Sequence, residues 1–431
     1  MATDPGARSL AAWWEKVGSH VRPLLKASFV LTGALGGIVG DVPTGHRIGN
    51  LAIHLAAILA FHSFGMRASG MLEPWGETQP RRVHASMAAA VFALHPLSTE
   101  AVSYISARSA SLATLGSVLA LLAWLSARET RGGPRAAWIV AGLASWAVAC
   151  GSREVAVATP LFWLLLEWLR APPEIDPRAR RRALLGLACL ITLGGLVFIA
   201  WMAHHPRYGP LLDLSARILA ARAHEPFMAT ALGYLGCVAV LACAPNIDPT
   251  PAAASAAHAI LLASVLVVSG VFALRERRRH PMALVALAWA ALWLLPTYAL
   301  PIRHDIVAER HAYPVMWSLG WLVGAIVAPL VAAPARALRI GGRALALLVV
   351  GVLALLSVSR NREYRSEEWL WEAAARDSLP TPRVLNNLGA AYIEAGRWDD
   401  AEGALRAAQK LDPDNEIVEF NLDRALRRSP D

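Results

Sequence analysis

The chain has 431 residues, of which 56% are hydrophobic and 17% charged, with a formal net charge of +9. A soluble domain carries about a quarter charged residues, so this composition excludes an ordinary soluble fold and points to a polytopic membrane protein. The positive charge does not argue for nucleic acid, because the arginines gather between apolar runs, where the positive-inside rule puts them.

Lysine occurs only as Lys16, Lys26 and Lys410, an arginine bias that fits GC-rich bacterial codon usage and an inner-membrane location. The four cysteines, Cys150, Cys189, Cys237 and Cys243, lie in or beside apolar runs with no CxxC spacing. They predict packing roles rather than a disulfide framework or a zinc site. Residues 1–20 lack the apolar core of a cleavable signal peptide.

In chain order, residues 1–47 form an N-terminal segment with Trp13 and Trp14, aromatics suited to a membrane interface. Residues 24–40 read equally as a surface helix or a short span. The membrane domain, 48–360, holds candidate spans at 48–66, 84–102, 109–127, 136–150, 154–170 and 183–203. Others follow at 226–244, 256–274, 281–300, 312–333 and 343–359. Each approaches the roughly 20 residues that a crossing helix needs.

Arginine-rich loops at 67–83, 128–135, 170–182, 275–280 and 334–343 are predicted to be cytoplasmic. Three candidate spans lie between the loops at 170–182 and 275–280, where an even number is required. Segment 226–244, holding Gly233 and Gly236 and followed by Pro245, is therefore assigned as a partial or re-entrant element. Residues 211–225 are assigned to an interfacial helix. The expectation is an all-α bundle of about ten to eleven spans with both termini on the non-cytoplasmic side.

That topology collects the unusual polar residues on one face. Arg22, His46, His95, Glu100, Arg108, Arg153 and Glu154 share it with Arg303, His304, Asp305, Glu309, Arg310 and His311. Ionisable groups at a membrane boundary are costly and suggest function. If 95–108 stays helical, Glu100, Tyr104 and Arg108 stack one turn apart on one face; the alternative is a kinked span end with a structural ion pair. The turn Gly151-Ser152-Arg153-Glu154 reads either as a polar site or as a solvated turn whose carboxylate complements a helix N-terminus. The run 301–313 is dense enough in arginine to clamp a phosphate. His46, Asn50 and His54 form a polar stripe on one helix face, at a spacing unsuited to a metal pair, and no metal motif is expected.

Beyond residue 360 the pattern becomes that of soluble helices, a domain over 361–431. With Pro382 as the first position, Leu385, Leu388, Gly389, Tyr392, Ala401, Leu405, Ala408 and Pro413 occupy the packing positions of a 34-residue tetratricopeptide repeat. Trp371 and Ala374 fall in phase one period earlier than Leu405 and Ala408, and Leu422 one period later than Leu388. One full repeat, 382–415, is thus flanked by half-repeats. So short an array is expected to pack on the membrane domain or on a partner.

The string His95-Pro96, Glu100-Ala101-Val102, Tyr104 and Arg108 resembles a signature of the transmembrane and tetratricopeptide-repeat O-mannosyltransferase-type proteins. Arg22-Pro23-Leu24, Gly45-His46-Arg47-Ile48-Gly49-Asn50 with His54, Ser152-Arg153-Glu154 and Ala308-Glu309-Arg310-His311-Ala312-Tyr313 resemble further blocks in the same order. The resemblance implies a GT-C type glycosyltransferase fold. It also implies transfer of a sugar, with mannose as a candidate, from a polyprenyl-phosphate donor to a protein hydroxyl on the non-cytoplasmic side; no organic cofactor is expected, and a divalent metal is neither required nor excluded by the sequence.

Such proteins carry a further N-terminal span and a loop with paired acids that supplies the proposed base; neither is expected here. Arg153 stands where lysine is common, and Glu309-Arg310-His311 permutes the usual order. On this resemblance Arg108, Arg303 and Arg310 are candidates for phosphate contact. Glu309 is expected to orient an arginine, and Glu100 to replace the missing base or pair with Arg108. Arg22, His46, His95, Arg153, Glu154, His304, Asp305 and His311 would line the site. The competing expectation is a non-catalytic, membrane-anchored repeat scaffold that binds protein partners.

Overall fold

A computed structural model describes residues 22–72, 78–170, 177–206, 208–210, 227–249, 269–299, 307–377 and 379–428, with isolated residues 11, 14, 213 and 217. Arg303, His304, Asp305, most of the expected interfacial helix 211–225 and most of the candidate span 256–274 lie outside them. The described residues are helical with no strand.

The chain opens with α1 (Pro23–Val39), α2 (Val42–Leu72) and α3 (Thr78–Leu94). After a broken stretch come a short α4 (Thr99–Ser103), α5 (Arg108–Glu129), α6 (Gly133–Cys150), α7 (Thr159–Arg170) and α8 (Pro177–His204). The bundle continues through α9 (Phe227–Ala239), α10 (Pro281–Ala299), α11 (Met316–Val331) and α12 (Arg336–Glu363). Four helices close the chain: α13 (Glu367–Asp377), α14 (Pro382–Glu394), α15 (Trp398–Leu411) and α16 (Glu416–Arg427).

Among the described residues, six helices are long and apolar enough to cross a membrane: Val42–Leu72, Ile105–Glu129, Leu184–His204, Pro281–Tyr298, Tyr313–Val331 and Arg336–Glu363. The expected span 84–102 is not continuous. Its helix ends at Leu94, and a 3₁₀ turn, Pro96–Ser98, follows with Pro96 in its first position, where proline's missing N–H costs no hydrogen bond. Helix α9 has 13 residues, about 20 Å at 1.5 Å per residue, against a hydrocarbon core of about 30 Å.

The bundle core is aromatic. Phe61 stacks on Trp317 at 5.4 Å between centroids and meets Phe92 and Trp289 edge-on at 4.7 Å and 5.7 Å. In lipid, packing rather than the hydrophobic effect drives helix association, so small residues sit where backbones meet. A Cβ on Gly320 of α11 would lie 2.6 Å from the Ala88 carbonyl oxygen of α3, so only glycine permits that approach.

The C-terminal helices follow the repeat phase expected of them. Leu388, Gly389, Ala401, Leu405 and Ala408 are buried, with Trp371 and Ala374 buried in the preceding half-repeat. Gly389 receives the Leu405 side chain, 2.4 Å from where its Cβ would stand. Thr381 caps α14 by accepting from the Val384 N–H at 3.2 Å. The repeats do not stand alone: Leu370, Trp371, Ala374, Val384 and Ala391 share one apolar cluster with Ile247 and Tyr104 of the bundle. The Asn246 side-chain amide also donates to the Ala374 carbonyl at 3.1 Å.

The cysteine expectation needs correcting. Cys237 and Cys243 form a disulfide. Leu241 adopts a left-handed backbone with φ of 60°, and Ala242 N–H donates back to Cys237 O. The chain thereby turns sharply after α9 and brings the Cα atoms to 5.3 Å, within bonding range. A six-residue separation matches no familiar cysteine motif, so spacing alone gave no warning.

Candidate functional site

The polar break after α3 is built by its own side chains. The His95 ring accepts the Leu97 N–H at Nδ1, 3.2 Å away, and its Nε2 lies 3.2 Å from the Ala239 carbonyl. Ser98 Oγ donates to Phe92 O at 2.8 Å. Helix α4 then runs for five residues, and Tyr104 leaves it in an extended conformation at φ −83°, ψ 111°.

That break overturns the single-face stack of Glu100, Tyr104 and Arg108. The helical register is lost at Tyr104, and the carboxylate and the guanidinium go to different partners. Glu100 is fully buried and receives Arg310: the backbone N–H donates to Oε2 at 2.6 Å and Nη1 to Oε1 at 2.5 Å. Arg108, also fully buried, donates from Nε to Asn50 Oδ1 at 2.5 Å and from Nη1 to Thr32 Oγ1 at 2.8 Å. It also donates from Nη1 to Ser28 O and from Nη2 to His46 O, and lies 4.1 Å over the Phe29 ring. Arg108 therefore ties α1 and α2 to the start of α5, with four of its five N–H donors engaged.

The stripe on α2 supports this clamp. His46 Nδ1 pairs with Thr32 Oγ1 at 2.7 Å, Asn50 donates to Val102 O at 3.0 Å, and His54 Nδ1 pairs with the Tyr313 hydroxyl at 2.8 Å. It is a run of hydrogen bonds between helices. Among the described residues no cluster of histidine, cysteine and carboxylate could hold a metal ion.

Two further ion pairs join distant segments. Arg22 has a left-handed backbone (φ 61°) just before α1, and it grips Glu154 through Nε–Oε1 and Nη2–Oε2 contacts, both 2.8 Å. The Tyr208 hydroxyl donates to the same carboxylate at 3.0 Å. Burial alone would raise the Glu154 carboxyl, but Arg22 and Tyr208 outweigh it and hold it down to about 2. Glu154 is thus no solvated turn residue. Its neighbour Arg153 is buried at the same turn.

Glu309, fully buried, accepts from Arg360 Nη2 at 3.0 Å and from the Tyr234 hydroxyl at 3.1 Å. Burial pushes its carboxyl up to about 7, against the pull of Arg360. Arg360 also binds Glu363 one turn on. His311 Nδ1 pairs with the Tyr298 hydroxyl at 3.0 Å.

Between this end of the bundle and the repeats lies a cavity of about 550 Å³. Arg22, Tyr104 and Arg310 line it from the bundle, and Glu367, Trp371 and Arg383 from the repeat helices. The structure thus brings Arg22 and Arg310 into one space, each oriented by a carboxylate behind it. Glu100, Glu154, Arg108 and Glu309 stand outside its walls, the first two directly behind Arg310 and Arg22, and His46 and His95 serve neighbouring helix junctions.

Sequence reading missed Arg360, Tyr208, Tyr234 and the wall supplied by the repeats. An arginine after an apolar run reads as a topology signal, although the spacing of Arg360, Glu363 and Tyr364 was a hint of local pairing.

Fold and site together define an all-helical, polytopic membrane protein with a C-terminal tetratricopeptide repeat. The tetratricopeptide repeat family matches residues 382–415. The chain is 31% identical over 145 residues to protein O-mannosyl-transferase Tmtc2 of Drosophila melanogaster. That stretch is 33% of this chain and spans 15% of the relative's length. No solved structure matches the chain.

Proposed function

We propose that this chain is a membrane glycosyltransferase of GT-C type. In this reading it transfers a sugar, with mannose as the candidate, from a polyprenyl-phosphate donor to a protein hydroxyl, in the cavity beneath the repeats. The observation that carries the reading is the pair Arg22 and Arg310, held at one cavity by Glu154 and Glu100. The similarity to a protein O-mannosyl-transferase supports it. The Cys237–Cys243 disulfide favours a non-cytoplasmic side, since disulfides persist in oxidising compartments.

In the reaction the sugar's C1–O bond to phosphate breaks and a C1–O bond to the acceptor forms. The departing phosphate takes the electron pair, and a carboxylate takes the hydroxyl proton. Planar guanidinium forks match phosphate oxygens, so Arg310 and Arg22 receive the leaving group, with Arg303 from the adjoining segment. Removing one such electrostatic contact typically costs about 10²–10³ in rate.

Glu100 orients Arg310, and it accepts the proton as the phosphate draws Arg310 off its oxygens. Arg108 and Glu309 act at a distance, the first by joining the α1, α2 and α5 walls, the second by holding Arg360. His46, His95, Arg153, Glu154 and His311 shape the surroundings; His304 and Asp305 keep the site-lining role that the resemblance implies. The repeat wall presents the protein acceptor.

One observation favours a second reading, a non-catalytic repeat scaffold: both Glu100 oxygens are engaged by Arg310 in a fully buried pair. Incubating the purified full chain with radiolabelled polyprenyl-phosphate mannose and an acceptor peptide separates the two. Label in the peptide supports the enzyme; its absence at every donor concentration, with the protein folded, leaves the scaffold.

A further inference from the structure

A second concave surface lies at the other end of the bundle. Helix α7 starts beside Glu154, at the cavity end, and runs away from it to Arg170. Near its far end Glu167 pairs with Arg128 at 2.9 Å, and the Arg277 guanidinium sits 5.4 Å over the Trp168 ring. Helix α8 begins at this same end. A groove of about 550 Å³ runs between α7 and α8, with Leu161, Leu165, Leu184 and Leu185 as its apolar walls and Trp168 and Arg181 at its rim.

Three features define the occupant. First, none of the apolar window in Leu184–His204 is buried within the protein, so this face of α8 meets lipid. Second, the walls are aliphatic and fit a hydrocarbon chain, while the tryptophan and arginine stand at the rim, where such residues sit at a membrane–water interface. Third, Arg181 makes no ion pair among the described residues. It lies in the first two turns of α8 with Arg178 and Arg182, close in sequence to Arg170. A hydrocarbon slot beneath a guanidinium that has no ion pair among the described residues calls for an anionic headgroup, and basic pockets between helices at a membrane surface bind such lipids.

We propose that the α7–α8 groove is a site for one anionic phospholipid of the leaflet opposite the cavity, with its phosphate on Arg181 and an acyl chain along the leucines. The site is separate from the donor cavity and does not depend on the chain being an enzyme. One lipid held here mends the lipid-exposed seam between the two helices and fixes the depth of α8 in the bilayer.

The test uses the full-length chain, purified in detergent and checked by circular dichroism, with phosphatidylglycerol and phosphatidylcholine offered together and bound lipid read by native mass spectrometry. The expected result is selective retention of one phosphatidylglycerol. Arg181→Gln should weaken that retention about fivefold, from the roughly 1 kcal/mol that one basic residue contributes near an anionic surface. Leu185→Trp fills the groove without changing charge and should abolish retention. Arg336→Gln, at the arginine-rich start of α12, should leave it unchanged.

Equal retention of the two lipids, or full retention in folded Arg181→Gln and Leu185→Trp, overturns the proposal. So does polyprenyl phosphate displacing phosphatidylglycerol at equal concentration, because the groove would then serve the donor.

Discussion

The two ends of the bundle use arginine in opposite ways. At the repeat-facing end, Arg310 and Arg360 pair with carboxylates that are fully buried, and Arg108 is itself fully buried. At the other end, Arg67 pairs with a Glu129 side chain that is 64% exposed, and Arg279 lies 3.9 Å from Glu276 with its own side chain 81% exposed. The first set joins segments up to 210 positions apart inside the protein; of the second, Arg67–Glu129 links the ends of α2 and α5 in solvent and Arg279–Glu276 lies within one short connection. Residue type is therefore a poor guide to role in this molecule. What separates the two uses is whether the partner carboxylate has left water, because only then does losing the cation strand a charge.

The sharpest way to break the comparison is Arg360→Met. It leaves Glu309 buried without its cation, a loss of up to about 3–5 kcal/mol in such pairs and smaller to the extent that the carboxyl, already pushed up to about 7, takes up a proton. Thermal unfolding in detergent should show a large fall in Tm. Limited proteolysis should cut between α12 and α13, because Arg360 lies in the last turn of the helix that leads into the repeats. An unchanged Tm would mean that Glu309 takes up a proton at little cost.

Acid titration probes Arg22–Glu154. The Glu154 carboxyl is held at about 2 in the folded chain, against an ordinary value of 4.5. Its contribution, on the order of 3 kcal/mol by linkage, is complete above about pH 4.5 and is lost as the pH falls toward 2. Glu154→Gln should therefore be less stable than the wild type at neutral pH and should lose less between pH 4.5 and 2. Parallel acid profiles would contradict the pairing.

At the opposite end, Arg67→Gln should cost under about 1 kcal/mol, as exposed ion pairs do, and leave Tm almost unmoved. A fall as large as that of Arg360→Met would erase the contrast between the two ends.

Much of the architecture was legible from the chain. The repeat declared itself because Leu388, Gly389, Leu405 and Ala408 recur at a fixed period, and a period survives any tertiary context. The apolar runs at 48–66, 109–127, 312–333 and 343–359 marked helices that are long and apolar enough to span a membrane. The run at 84–102 misled, since apolarity persists through Pro96 while the helix does not.

The site was legible as a set of residues but not as pairs. Glu100, Glu154, Arg22 and Arg310 stand out as charges at the ends of apolar runs. That Glu100 meets Arg310, 210 positions away, rather than Arg108 follows from the extended backbone at Tyr104, which helical spacing cannot anticipate. The wall from α13 and α14 was hidden for another reason: Glu367, Trp371 and Arg383 look like ordinary repeat residues until the repeats dock on Ile247 and Tyr104.

The most direct test of the donor cavity compares initial rates of sugar transfer from polyprenyl-phosphate mannose for Arg310→Lys and Arg67→Gln, with Tm measured alongside. Lysine keeps the charge behind which Glu100 is buried but lacks the planar fork. Arg310→Lys should transfer sugar about 10²-fold more slowly than wild type, with little change in Tm, and Arg67→Gln at the wild-type rate. Equal rates for the two variants would contradict the donor-cavity assignment.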